Sequence, residues 1–297
     1  MAQTQARSRA LAALTASMLL FGTIGLLRRG IDAPSSLLAL VRAVMGTGFL
    51  ALNCARKHLR RMDGLSRRQW LLLGLSGAVM GFNWIALFEA YRYTTVAAAT
   101  MCYYMQPTIL ILLSPLLFRE RLTPLKLLCA GAGVLGMVLV SGVIGTQGPT
   151  PSDLRGIALG LTAAVLYAAV IILNKKAGSV NPYQRTVLQL GAAAVALAPY
   201  VLLTEDLNTV HLNAAGLSTL AVLGLVHTGL AYTLYFGSME ALSAQTIALF
   251  SYIDPVTALL LSALLLREPL SLTGWLGAAL ILAAAVLGER AAERKFA

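Results

Sequence analysis

SAQTIALFSYIDPVTALLLSALLLREPLS, residues 243–271, is the stretch whose reading decides the fold. From Ile247 to Leu266 it is apolar except for Ser251, Asp254 and a few small polar residues, the composition of a helix that crosses a membrane. Tyr252, Asp254 and Pro255 stand in its middle. Proline removes a backbone donor and turns the helix off its path. A carboxylate at bilayer depth costs roughly 2.5–3.5 kcal/mol on insertion scales. A helix that only had to sit in lipid has no need of either residue, so both are candidates for function.

The stretch occurs twice. Moved back by 148 residues it lies within TTVAAATMCYYMQPTILILLSPLLFRERLT, residues 94–123. Tyr252 falls on Tyr104, Asp254 on Gln106, Pro255 on Pro107, and Arg267-Glu268 on Arg119-Glu120. Between Tyr104 and Leu122, 10 of 19 positions are identical. Leucines match by chance in so leucine-rich a chain, but the Tyr, Pro and Arg-Glu matches do not, and we read an internal duplication.

Composition points the same way. Of 297 residues, 58% are hydrophobic and 12% charged, with a mean hydropathy of +0.76. Soluble domains carry about 25% charged residues, so the chain is expected to be a polytopic membrane protein. Ten segments approach the length of about 20 residues needed to span: 10–27, 36–55, 70–91, 95–118, 124–144, 154–174, 184–203, 213–239, 243–266 and 272–289. The first is too long and too poorly followed by a cleavage site to be a removable signal peptide. Gly145 to Ser152 is a break rich in glycine and proline that joins the two halves, residues 1–148 and 149–297.

The net charge of +11 would suit nucleic acid, but its placement suits membrane orientation better. With the N-terminus in the cytoplasm, 17 of the 23 Lys and Arg fall inside, 5 outside, and Arg42 within a span. Both termini are therefore expected in the cytoplasm. The basic run from Arg56 to Arg68 is read as a topology anchor. Five spans per half is an odd number, so the second half enters from the opposite side and a direct sequence repeat becomes an inverted structural one. Inverted repeats with interrupted helices at matching positions mark a transport site near the midplane. The matching interruptions here are Pro107 and Pro255, candidate helix breaks and gating positions.

The chain resembles the drug/metabolite transporter superfamily, in its ten-helix EamA-type branch. The residues that carry the resemblance are Gln106-Pro107 followed by LLFRERLTPLKLLCAGAGVLGMVLV, and Asp254-Pro255 followed by LLLREPLSLTGWLGAALILAAAVL. EAYRYTTVAAAT, MEALSAQTIALF and LALVRAVMG around Arg42 add to it. The resemblance covers essentially the whole chain. It implies an all-α inverted-repeat bundle with spans one to four and six to nine around a central path and spans five and ten at the periphery. It also implies export of amino acids and related metabolites across a bacterial inner membrane.

Each candidate site residue has a plainer reading beside the functional one. Asp254 either pairs with a substrate ammonium or carries a coupling proton, or it only bonds the groups that Pro255 frees. Gln106 either binds a substrate carboxylate or amide, or bonds a neighbouring helix. Tyr103, Tyr104 and Tyr252 flank these positions, and Trp84 and Tyr232 correspond in the 148-residue register. Rings around a few polar groups suit a bulky neutral or aromatic amino acid; helix packing or an interfacial belt is the alternative, the latter for Tyr91 in particular. His227 either relays protons or packs as a neutral histidine. Asn83 either lines the path or bonds between helices. Arg42 is read as a structural partner for Glu89, the two Arg-Glu pairs as helix-end ion pairs, and Gly77-x-x-x-Gly81 and Gly156-x-x-x-Gly160 as packing surfaces.

No enzyme chemistry is visible. His58, His211 and His227 lack metal-ligand spacing, and there is no Walker loop or nucleophile elbow in a plausible context. Cys54, Cys102 and Cys129 are read as core residues. The expected partners are a small-molecule substrate and the bilayer, without nucleic acid, metal or cofactor, and the expected state is a monomer or weak homodimer. The competing readings are a transporter of other metabolites or cationic drugs, sugar phosphates or nucleotide sugars being disfavoured by the shortage of intramembrane cations, and a non-transporting scaffold.

Overall fold

The computed structural model describes residues 2–56, 64–118, 124–140, 148–238, 242, 244–268 and 270–293. Arg119-Glu120, His58 and most of the basic run around it lie outside the described residues. The described residues form helices and connections, with no strand among them. They are α1 (Ala2–Gly22), α2 (Ile24–Arg29), α3 (Ser35–Arg56), α4 (Arg67–Tyr93), α5 (Val96–Tyr103), α6 (Gln106–Phe118), α7 (Pro124–Val140), α8 (Pro151–Ala177) and α9 (Pro182–Thr204). There follow α10 (Ala214–Ala221), a π-helical segment Val222–Leu230, α11 (Ala231–Ser238), α12 (Ala244–Ser251), α13 (Ile253–Leu264) and α14 (Leu272–Glu293).

Each of the ten segments expected from the sequence overlaps helix among the described residues. By length and composition, seven helical stretches among the described residues can cross a membrane: Gln5–Arg29, Ser35–Arg56, Arg67–Tyr93, Val96–Leu113, Pro151–Ala177, Pro182–Thr204 and Ala214–Ser238. Leu127–Val140, Ile253–Leu264 and Leu272–Leu287 are apolar but shorter. Their outer faces carry large apolar side chains, with Leu203 86% and Val195 76% exposed, a surface that suits lipid contact.

The chain divides into two compact units, and each draws on both halves of the sequence. The first comprises Met1–Ile85 and Ala169–Thr257, the second Ala86–Ala168 and Ala258–Ala297.

In the first unit, α3 packs on α9 and on the π segment, and α1 packs on α11. Ala10, Leu14 and Met18 of α1 form a core with Leu242, bordered by Phe21, Tyr235, Ile247 and Phe250. A β-carbon on Gly77 of α4 would overlap the Gln189 carbonyl oxygen of α9, so hydrogen alone permits this approach. Beside it, the Gln189 side-chain nitrogen donates to Ser76 Oγ at 2.7 Å and to Asn174 Oδ1 at 2.9 Å, which ties α4, α8 and α9 together. Arg28 is only 3% exposed. Its guanidinium donates to the Ile31 and Ala33 carbonyls at 2.8 and 3.2 Å and to Ser35 Oγ at 3.1 Å. The loop that opens α3 is thus folded around a cation.

In the second unit, α7 and α14 cross at reciprocal glycines. A β-carbon on Gly136 would come within 2.6 Å of the Gly277 carbonyl oxygen, and one on Gly277 within 2.5 Å of that of Gly136. Such small-residue crossings let dispersion contacts form along two backbones in lipid. The short helix α5 is buried from Val96 to Cys102. Its first amide hydrogens, orphaned by helix geometry, all find side chains. Val96 N donates to Glu268 Oε2 at 2.8 Å, Ala97 N to Ser262 Oγ at 3.3 Å, and Ala98 N to Thr95 Oγ1 at 3.0 Å. Ser262 Oγ also donates to Glu268 Oε2 at 2.5 Å. Arg267, with φ of 52°, takes the left-handed turn that ends α13, and Glu268 N donates to the Ser262 carbonyl at 3.1 Å. The carboxylate so placed lies at the positive end of a helix dipole.

Candidate functional site

Both proline-bearing segments are broken, and the breaks come just before the prolines. α5 ends at Tyr103, Tyr104 and Met105 form a turn, and α6 restarts at Gln106 with Pro107 second. α12 ends at Ser251, Tyr252 is the turn, and α13 restarts at Ile253 with Asp254 second and Pro255 third. Proline is compatible with the first turn of a helix, where its missing N–H has no carbonyl to serve. It therefore marks the start of a second helix instead of a kink within one.

In the second unit the break assembles three of the expected residues. The Tyr103 and Tyr104 rings meet edge to face at 5.8 Å between centroids, and Tyr167 of α8 lies 5.5 Å from Tyr103. The Gln106 side-chain oxygen is buried and accepts no hydrogen bond among the described residues. A buried acceptor without a donor is uncommon in folded proteins.

In the first unit the site is built around the junction of α1 and α2 at Phe21-Gly22-Thr23. The Phe21 ring meets Tyr232 of α11 edge to face at 5.3 Å. A β-carbon on Gly22 would lie 2.7 Å from the Asp254 carbonyl oxygen and 2.5 Å from Thr257 Cβ, so the absent side chain admits the start of α13. Thr23 Oγ1 is 2.7 Å from His227 Nε2, while His227 Nδ1 is 3.2 Å from the Val222 carbonyl oxygen. Arg42 of α3 donates from Nε to Thr228 Oγ1 at 3.0 Å, and its guanidinium lies 4.3 Å over the Trp84 ring. Arg42 thus joins Trp84 to Thr228, and Thr23 reaches His227, in the unit that also holds Tyr232 and Asp254. Asn83, beside Trp84, is fully buried, and Tyr252 is half-buried at its break.

Arg42, Thr23, Thr228 and Phe21 were missed as site residues by the sequence reading. In the structure Arg42 holds Thr228 and Trp84 in one unit, and Glu89 pairs with Arg92 at 3.2 Å in the other. The usable signal was the single cation within a span. Thr23 and Thr228 gave none, since hydroxyl residues are common in membrane helices. The π-helical winding over Val222–Leu230, which puts His227 and Thr228 side by side among these partners, is not written in VLGLVHTGL. Segments of this kind recur at functional sites. Tyr91 is 5% exposed, with its phenol oxygen 3.3 Å from Thr100 Oγ1.

The EamA-like transporter family model matches the chain twice, over residues 8–142 and 154–288. The chain is 30% identical to an uncharacterized transporter of Archaeoglobus fulgidus over 94% of its own length and 96% of the relative's. It is 29% identical to the uncharacterized transporter YxxF of Bacillus subtilis, over 86% and 81%, and 30% identical to Protein PecM of Dickeya dadantii, over 84% and 82%. A solved crystal structure shares the fold across 97% of this chain and 99% of its own, with a TM-score of 0.65 at 21% identity. The chain belongs to the EamA-like transporter family.

Proposed function

We propose that the protein is a secondary transporter that exports amino acids, aromatic or other neutral ones, and related small metabolites across a bacterial inner membrane by alternating access. The observation that carries the substrate reading is that one unit holds both a buried cation, Arg42, bonded to Thr228 and stacked over Trp84, and Asp254, at the restart of α13 against Gly22. A zwitterion offers one charge to each. A cationic drug would need only the carboxylate, and a sugar phosphate would need several cations. Trp84, Phe21 and Tyr232 supply apolar wall for a bulky side chain. Asp254 receives the substrate ammonium. In the other unit, Gln106, with its unmet buried acceptor, stands beside Tyr103 and Tyr104 as a candidate polar contact of its own. Tyr252, Asn83 and His227 complete the set.

Ten spans in two inverted five-helix repeats, residues 1–148 and 149–297, with both termini cytoplasmic, are the architecture we assign to this activity. The internal sequence repeat supports it, as do the two successive matches of the family model. The breaks before Pro107 and Pro255 are the places where such helices bend, free carbonyls and reseal. A monomer or weak homodimer suffices.

The test is counterflow. Proteoliposomes loaded with unlabelled amino acids are offered a panel of labelled ones. We expect uptake of aromatic or other neutral amino acids, lowered roughly tenfold by Asp254→Asn, in keeping with the loss of a hydrogen-bonded charge. Activity confined to cationic drugs or sugar phosphates discards the substrate and keeps the family. No transport across a broad panel moves a scaffold role to the front.

A further inference from the structure

The α1–α2 junction contains a hydrogen-bond arrangement with two complete solutions that differ by one proton. Thr23 Oγ1 is 2.7 Å from the Leu20 carbonyl oxygen and also 2.7 Å from His227 Nε2. His227 Nδ1 faces the Val222 carbonyl oxygen at 3.2 Å. A hydroxyl has one hydrogen and a carbonyl has none. The Val222 carbonyl can only accept, so Nδ1 carries a hydrogen in either solution. If the Thr23 hydrogen points to Nε2, the ring is neutral with its hydrogen on Nδ1. If it points to the Leu20 carbonyl, Nε2 must carry its own hydrogen to bond Thr23, and the ring is an imidazolium. The Leu20 carbonyl accepts from Thr23 N at 3.0 Å in both cases and is never left bare. The remaining neutral form, with hydrogen on Nε2 alone, would set the Nδ1 lone pair against the Val222 oxygen.

We propose that His227, wired through the Thr23 hydroxyl to the Leu20 carbonyl, is a proton-binding site that couples solute transport to proton movement. The step balances simply. A hydronium ion gives its proton to the Nε2 lone pair and leaves as water, and the Thr23 hydroxyl keeps its O–H bond but rotates from Nε2 to the Leu20 oxygen. Release reverses both movements. No other bond forms or breaks, and one positive charge enters or leaves the site.

The position connects that charge to the rest of the unit. Gly22, next to Thr23, packs against the Asp254 carbonyl and Thr257 at the restart of α13. From α3, Arg42 reaches Thr228, the residue after His227, at 3.0 Å. From α11 come Tyr232 and Tyr235, and α10 carries no titratable group. On α2, the Arg28 guanidinium is turned to the loop carbonyls, and Arg29 lies at the helix end. On α1, Arg7 and Arg9 lie at the opposite end of the helix. Among the described residues, the buried cation Arg42 is thus held on Thr228, next to His227, and the restart of α13 at Asp254 packs on Gly22, next to Thr23. The inference rests on the chain being a transporter but not on its substrate being an amino acid.

The test begins without any solute. Full-length protein carrying ¹⁵N-histidine is titrated in nanodiscs over about pH 4.5–8.5, a range that brackets an ordinary histidine. The His227 signal is identified by its loss in His227→Asn. We expect the Nδ1–H tautomer at the alkaline end and a single conversion to imidazolium. Thr23→Ser, which keeps the hydroxyl, should leave the midpoint in place. Thr23→Val should move it by about half a pH unit or more, a threefold change in proton affinity. An Nε2–H tautomer, no titration in this range, or equal effects of the two Thr23 variants would overturn the site. Flux is then followed in proteoliposomes under imposed pH gradients, with labelled phenylalanine, or with ethidium if the amino-acid panel is negative. A pH profile altered in Thr23→Val and normal in Thr23→Ser supports coupling; an unaltered Thr23→Val profile overturns it.

Discussion

Two glycines three residues apart on α4 show how far the surroundings of a single residue decide its role. A β-carbon on Gly77 would overlap the backbone of α9, while one on Gly74 would meet nothing within 4 Å. Gly77→Ala should cost about 1–3 kcal/mol, the usual size of an overpacking defect. Gly74→Ala should be neutral or stabilise by up to about 1 kcal/mol, because alanine is the better helix residue. Thermal unfolding of the two variants in the same detergent checks both, and equal effects would refute the close approach. The sequence offered Gly77 through its spacing with Gly81, but Gly74 looks no different on paper. Arg28 makes the same point. It was counted from sequence as a charge outside the membrane, and in the structure it is a buried loop clamp.

Among the helices, the short α5 carries Tyr103 and leads directly to Tyr104 and Gln106, so whatever holds its start also positions these three candidate residues. Its cap comes from Glu268, 172 residues away. Glu268→Ala should destabilise the protein by about 1–2 kcal/mol, the range for losing a helix cap. Ser262→Ala shares the same oxygen, so the double variant should cost less than the sum of the singles; melting temperatures of all three decide this. Strict additivity would mean that Glu268 and Ser262 act apart. The sequence placed Glu268 at a helix end and suggested an ion pair. It could not say which helix start the carboxylate would reach, since that depends on where the chain folds back. The helix breaks were closer to legible, because proline tolerates few positions, though their location one turn early was not.

At the scale of the whole molecule, the distribution of Lys and Arg leads us to expect both termini in the cytoplasm. A fluorescent-protein fusion at either end should therefore glow, and an alkaline phosphatase fusion at either end should be inactive. One active phosphatase fusion would break the odd-numbered repeat on which the inverted arrangement depends. The two compact units do not follow the sequence halves: each takes segments from both, and α4, α8 and α13 contribute to both units. A duplication is a record of ancestry along the chain, while compact units reflect where side chains touch.

By itself the sequence determined that the chain is helical and lives in a membrane, because hydrophobic runs of spanning length leave the backbone no other way to satisfy its hydrogen bonds in lipid. It also determined the family, through a motif that occurs twice, and it picked out Asp254, Gln106, Tyr232 and His227 as the costly or unusual residues. Only the tertiary structure decided what those residues face. Thr23 and His227 are 204 positions apart and 2.7 Å from one another; Arg42 and Thr228 are 186 apart and 3.0 Å from one another. Periodicity along a helix says which residues share a face, but the neighbour across that face is set by packing of the whole unit, and there the chemistry of this site is made.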